Sequence, residues 1–161
     1  MFVRDMVGNT AYLATLAGFA FSVTGIGDLI ASPFLGKRSD RIGYKRVLTI
    51  SLLGAALMNI PQAFVHNIWA FLLARFVMGM FMGGILPTAN ALVGRLAPAD
   101  QRGRVYGITA SATFLGSFFG PMTGGLVSAA FGISVMFIVT AALLVLNWIW
   151  VQFAIKEVGE D

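Results

Sequence analysis

Two ionisable side chains stand isolated in long apolar runs: Asp28, with no other charge between Asp5 and Lys37, and Arg75, with none between Arg46 and Arg95. A carboxylate so placed could take up and release a proton or pair with a cationic substrate. Its alternative is a protonated carboxyl bonded to a neighbouring helix or reaching the nearby basic segment. Other chemistry-bearing residues are sparse. There is no Cys, hence no disulfide, thiolate or iron-sulfur chemistry, and the single histidine, His66, cannot by itself build a histidine-based metal site. No paired carboxylates, Ser-His arrangement or metal-ligand cluster is visible, so an enzyme is the weakest reading, and neither cofactor nor metal is expected.

The elements that must position these residues follow from composition. The chain has 161 residues, of which 58% are hydrophobic and only 11% charged, with a mean hydropathy of +0.84. Soluble domains carry roughly twice that charged fraction. The charges are also bunched, and the gap from Arg104 to Lys156 alone holds 51 uncharged residues. A hydrocarbon layer about 30 Å thick takes roughly 20 apolar residues per helical crossing. The pattern therefore predicts an all-α, polytopic membrane bundle of five spans, at about 12–36, 47–65, 68–94, 105–130 and 133–155. Short connections leave no room for an extramembrane domain.

Lys and Arg outnumber Asp and Glu by 11 to 7, but the excess lies in short loops, so nucleic acid is not an expected partner. Residues 37–46 carry five cations, residues 95–104 three, and Lys156 one, against Arg4 on the other side. Cytoplasmic loops retain positive charge. The C-terminus is accordingly expected in the cytoplasm and the N-terminus outside, in a cell (plasma) membrane protein. No signal peptide is expected, because MFVRDMVGNT lacks an apolar core.

Glycine suggests the layering, since small residues let membrane helices approach closely. The first, third and fourth spans are glycine-rich, the second holds only Gly54 and the fifth none. The first, third and fourth are expected to form the packed inner layer, with the second and fifth facing lipid and Trp148 and Trp150 near the cytoplasmic interface.

Three motifs give these spans a family likeness. The segment GKRSDRIGYKR resembles the loop signature of the major facilitator superfamily, through Gly36, Asp40, Arg41, Gly43, Lys45 and Arg46. Physically, Gly36 and Gly43 permit a sharp reversal, the cations anchor the segment at the membrane face, and Asp40 can accept donors from a helix N-terminus. The resemblance implies a role in gating. RFVMGMFMGGILP resembles the superfamily's intramembrane arginine element through Arg75 and Gly79. A charge at that depth is expensive and faces protein or water; alternatively Arg75 snorkels outward, being about six residues or 9 Å from the helix start. GSFFGPMTGG resembles the Gly-Pro signature of antiporter branches through Gly116, Gly120, Pro121, Gly124 and Gly125, where Pro121 removes a backbone donor. PADQRGR, with Asp100 expected in a first helical turn, resembles a further loop of the same superfamily.

A superfamily half has six helices, and five are counted here, so the chain corresponds to helices two to six of an N-terminal half or eight to twelve of a C-terminal half. The tail KEVGED and the segment FGISVMFIVTAALLVLN favour the latter. The resemblance implies a proton-coupled multidrug exporter whose partners are membrane lipid, a small-molecule substrate, the proton and the N-terminal half of the transporter, with Asp28 as the proton-coupling candidate. The alternatives are a sugar or metabolite facilitator, which would show more polar side chains in its inner helices, and a non-transporting pentaspan scaffold. Thr88, Asn90, Ser111 and Thr113, with Phe114, Phe118, Phe119, Met78, Met80 and Met82, either line a cavity or simply pack helices.

Overall fold

The computed structural model describes residues 13–155; Tyr12, Arg4, Lys156 and the rest of the charged tail lie outside them. Among the described residues six helices follow one another: α1 (Leu13–Ile42), α2 (Tyr44–Phe64), α3 (Ile68–Met82), α4 (Ile85–Leu96), α5 (Arg102–Phe131) and α6 (Ile133–Ala154). No strand occurs among the described residues. α3 and α4 together form one long apolar segment, so five segments among the described residues are long and apolar enough to cross a membrane. The expected all-α membrane bundle is what forms.

Helix ends depart from hydropathy where local chemistry overrides it. α1 does not stop at Gly36. Lys37 to Ile42 continue the helix, the Ser39 hydroxyl donating to the Gly36 carbonyl at 2.6 Å, and the connection to α2 shrinks to Gly43. Its φ of 96° and ψ of 141° lie in a region essentially reserved for glycine. The basic residues expected in a loop therefore stand on the last turns of α1 and the first turn of α2: their charge ended the hydropathy window, whereas their backbone propensity favours helix. Asn67 starts α3 by accepting the Trp69 amide at 2.9 Å, as an N-cap does. α4 ends before Pro98, with Ala97 extended at φ −75°, ψ 129°, as the residue before a proline prefers. Gly132, at φ 88° and ψ 160°, joins α5 to α6.

The third span is not one uninterrupted helix. α3 gives way to α4 at Gly83–Gly84, where the Gly84 amide bonds back only three residues, to the Phe81 carbonyl at 3.3 Å, a tightened turn of 3₁₀ type. Two adjacent glycines contribute little to helix stability.

Packing corrects the expected layering. α2 is the innermost helix, burying Val47, Leu48, Ser51, Leu52, Gly54, Ala55, Ala56, Asn59, Gln62 and Ala63. It packs most extensively on α6, and α1 packs on α3. α5 buries no residue at all. Glycine content measures how near a backbone can come, not whether a neighbour is there. Small Ser51, Gly54, Ala55 and Ala56 admit larger partners onto α2, Phe81 of α3 lying directly over Gly54. Glycine-free α6 supplies the complementary side chains, burying Phe137, Ala141 and Val151. One apolar cluster, with Phe71, Leu72 and Phe137, sits at the His66 end; another, with Leu48, Leu52 and Val151, sits at the Gly43 end.

Candidate functional site

Close backbone crossing between α1 and α3 sets the glycines of the third span against the first, beside Asp28. A Cβ at Gly27 would strike the Phe76 carbonyl oxygen, and one at Gly79 the Thr24 carbonyl oxygen. Gly79 of the arginine element is thus a contact residue: only hydrogen at Cα allows the approach. One turn further on, Gly83 faces Asp28. A Cβ there would lie 2.7 Å from the Asp28 carbonyl oxygen, 3.0 Å from its Oδ1 and 3.0 Å from the Ser32 amide nitrogen. Asp28 therefore stands beside the break in the third span. On the other side of the same break Gly84 abuts the Ser51 hydroxyl and the Leu35 side chain.

The break is polar on its inner side. Ser51 is 1% exposed and Thr88 0%, and neither hydroxyl has a hydrogen-bond partner among the described residues. Buried hydroxyls without partners are expensive in an apolar medium. Ser51 thus meets Gly84 and Thr88 follows one turn on, its amide donating to the Gly84 carbonyl at 3.4 Å, while Asp28, beside Gly83, is itself exposed. Thr88 stood among the polar residues singled out in the sequence; Ser51 did not, although a serine in an apolar run is the signal that would have found it.

Arg75 is held by protein. Its guanidinium lies 5.2 Å from the Phe71 ring centre and 5.3 Å from that of Phe137, and the two rings meet edge to face at 6.1 Å. Cations are attracted to aromatic faces, more strongly where water is excluded. The Nε atom is buried without a hydrogen-bond partner among the described residues. Gly83, which touches Asp28, is eight residues further along, roughly 12 Å at helical rise, so Arg75 and Asp28 occupy different levels. Two buried amides escaped the sequence reading: Asn59 donates to the Ala55 carbonyl at 2.8 Å, and Gln62 donates to the Met58 carbonyl at 2.7 Å and reaches the Met78 sulfur at 3.4 Å.

The residues of the first motif form a junction at the Gly43 end. Asp40 accepts the Tyr44 hydroxyl at 2.8 Å, not the amides of a helix N-terminus; continuous helix through Ile42 turns its carboxylate toward the residue one turn on. Arg95 of α4 lies 5.7 Å from the Tyr44 ring centre. Lys45 Nζ donates to the Gln152 carbonyl of α6 at 3.0 Å, and the Gln152 amide donates to Thr49 Oγ1 at 2.6 Å. A Cβ at Gly36 would make ordinary contact with Pro87, at 3.6 Å. Lys37, Arg38, Arg41 and Arg46 are exposed.

The Gly-Pro motif is laid along α5 with its face open. Among the described residues nothing lies within 4 Å of a Cβ at Gly116, Gly120 or Gly125, and only the Met136 sulfur, at 3.8 Å, approaches one at Gly124. The helix runs unbroken through Pro121, although the ring leaves the Ser117 carbonyl without its usual amide donor. Phe114 and Phe118 are 74% and 68% exposed; Ser111 and Thr113 spend their hydroxyls on the Gly107 and Thr109 carbonyls. Asp100 precedes α5 instead of entering its first turn, and Gln101 makes no side-chain cap.

A bundle of long apolar helices with a carboxylate at a helix break, an arginine between aromatic rings and a basic junction at one end has the make-up of a multi-pass membrane protein. Residues 5–159 match the Major Facilitator Superfamily, and the chain belongs to that family. It is 35% identical over 159 residues to the multidrug resistance protein MdtG of Enterobacter lignolyticus, covering 99% of this chain and 38% of that protein. It is 41% identical over 143 residues to the uncharacterized MFS-type transporter YuxJ of Bacillus subtilis, covering 89% of this chain and 36% of that protein. A Salmonella arizonae MdtG is 33% identical over 150 residues, 93% of this chain and 37% of the relative. The chain thus spans less than two fifths of the length of these relatives.

Proposed function

We propose that the chain is helices eight to twelve of a multidrug exporter of the cell membrane, working against an opposing half and driven by proton exchange at Asp28. The observation that carries this reading is the open face of α5: its glycines at 116, 120 and 124 recur at helical spacing with almost nothing against them among the described residues, while each of the other spans buries some side chains. Alternating access rocks one half against the other around a midplane site, and a helix made for close approach yet left bare suits such a contact. The resemblance to proteins named for multidrug resistance supports small, largely apolar compounds as substrates. Asp28 beside the Gly83–Gly84 break joins a titratable group to the least regular point of the bundle, as coupling of protonation to helix movement requires. The basic junction at residues 37–46 lies on the cytoplasmic side in this reading, with the C-terminus.

The test is dye accumulation in an efflux-deficient host expressing the full transporter that carries this chain. Dye expelled in a manner abolished by collapsing the proton gradient, and by Asp28→Asn with membrane insertion unchanged, supports the reading. Efflux indifferent to Asp28→Asn removes Asp28 from it; no efflux by the unaltered protein removes the exporter.

A further inference from the structure

Arg75 is the intramembrane charge that the transport reading leaves unused. Its guanidinium lies against two aromatic rings and makes no hydrogen bond or ion pair among the described residues, its Nε being buried. We propose that Arg75 holds a small monovalent anion, chloride in an ordinary salt medium, where α3 meets α6.

Unused donors are the first argument. A guanidinium stays protonated and carries five N–H donors in one plane. Phe71 and Phe137 attract its charge through their faces, but a ring offers no lone pair to an N–H in the way an anion does. The Gln62 amide, whose Oε1 is also buried without a partner, reaches the Met78 sulfur one turn along α3 and not the guanidinium. Counter-charge is the second. Arg75 stands seven residues into α3 from Ile68, roughly 10 Å at helical rise, where a charge is costly unless paired. The described residues hold three carboxylates, Asp28, Asp40 and Asp100. Asp28 lies beside Gly83, at another level; Asp40 accepts the Tyr44 hydroxyl at the Gly43 end; Asp100 follows the whole of α4. None of them neutralises Arg75, so the counter-charge comes from solution. Space is the third. Arg75 is half-buried, which leaves an edge of the guanidinium open, yet Phe71, Leu72 and Phe137 around it are buried. An ion of one atom fits such walls, whereas the carbon frame of an organic acid would have to displace a ring. Apolar walls also favour the halide that loses least on leaving water, bromide before chloride and chloride before fluoride.

The experiment is thermal melting of the purified chain in neutral detergent, with sodium bromide, chloride, fluoride and gluconate compared at one ionic strength. Chloride is expected to raise the midpoint saturably, by about 3–6 °C at about ten times the concentration that half-fills the site. Bromide should act at lower concentration, and fluoride and gluconate should have no such effect. This order is the reverse of the general salt effect, in which strongly hydrated anions stabilise most. Arg75→Leu is expected to abolish the rise, and Arg41→Gln, which removes an exposed cation, to keep it. Chloride magnetic resonance on the unaltered chain covers the case in which Arg75→Leu does not fold: the chloride line should broaden, and excess bromide but not gluconate should sharpen it again. Equal effects of all the salts, an order led by fluoride, the same rise in folded Arg75→Leu, or a chloride line that bromide leaves unchanged overturns the site.

Discussion

Gly83 rests on the backbone of Asp28, close enough that a Cβ would sit 2.7 Å from the Asp28 carbonyl oxygen and 3.0 Å from its Oδ1. The residue that loosens the third span is therefore the one that touches the isolated carboxylate of the first. Backbone atoms cannot move aside as side-chain ends do, so substitution here forces α1 and α3 apart. Gly83→Leu is expected to cost about 1–3 kcal/mol, the usual range for overpacking, read as a lowered thermal midpoint of the purified chain in detergent. In the full transporter it should slow dye efflux as well, because the carboxylate is displaced with the helix. An unchanged midpoint would mean that the seam is not packed as described.

Phe137 closes one side of the Arg75 guanidinium and is 2% exposed. Phe137→Ala opens a cavity and removes one ring from the cation; losses of about 3–5 kcal/mol are typical where a buried phenylalanine is truncated. Phe153→Ala, at a site 84% exposed, should leave the midpoint within a degree or two. The contrast between the two variants, measured by the same melting experiment, reports burial and not aromatic content.

Arg75→Lys separates charge from shape. Lysine keeps the positive charge but lacks the planar guanidinium that stacks on rings. The expected result is a chain less stable than the native one, yet more stable than Arg75→Leu only if the charge itself matters. Melting of the three proteins side by side decides it.

Along α5 the expectation reverses. Gly116→Leu and Gly120→Leu meet nothing within 4 Å, and replacing glycine in a helix interior by leucine improves its propensity. The purified chain should keep or slightly raise its melting midpoint. In the full transporter the same substitutions should abolish efflux, since the proposed contact with the opposing half would be filled. Loss of stability in the chain alone would show that α5 is packed in a way its open face does not suggest.

Gly43 and Gly132 carry positive φ with extended ψ. Alanine at either joint is expected to cost about 1–3 kcal/mol, the range for residues held in sparsely populated backbone regions. Thermal melting of Gly43→Ala beside Gly36→Ala, where the nearest neighbour is a Pro87 methylene at 3.6 Å, checks it: only the former should fall markedly.

Much of the architecture was legible along the chain because the bilayer imposes a one-dimensional rule. Apolar runs of a set length must be helices that satisfy their own backbone, and charges must gather where water begins, so the five spans and the basic joint at residues 37–46 could be read without any contact. Asp28 and Arg75 were conspicuous for the same reason, each being a lone charge in an apolar run. What covers each helix could not be read that way. Lys45 meets Gln152 across 107 positions of sequence, Phe137 meets Phe71 across two intervening helices, and glycine marks a surface fit for close approach without saying what approaches it. Local patterning placed the helices in the membrane; only side-chain fit between distant segments decided that α2 lies at the centre, that α5 is left bare, and that Asp28 stands at the break in the third span.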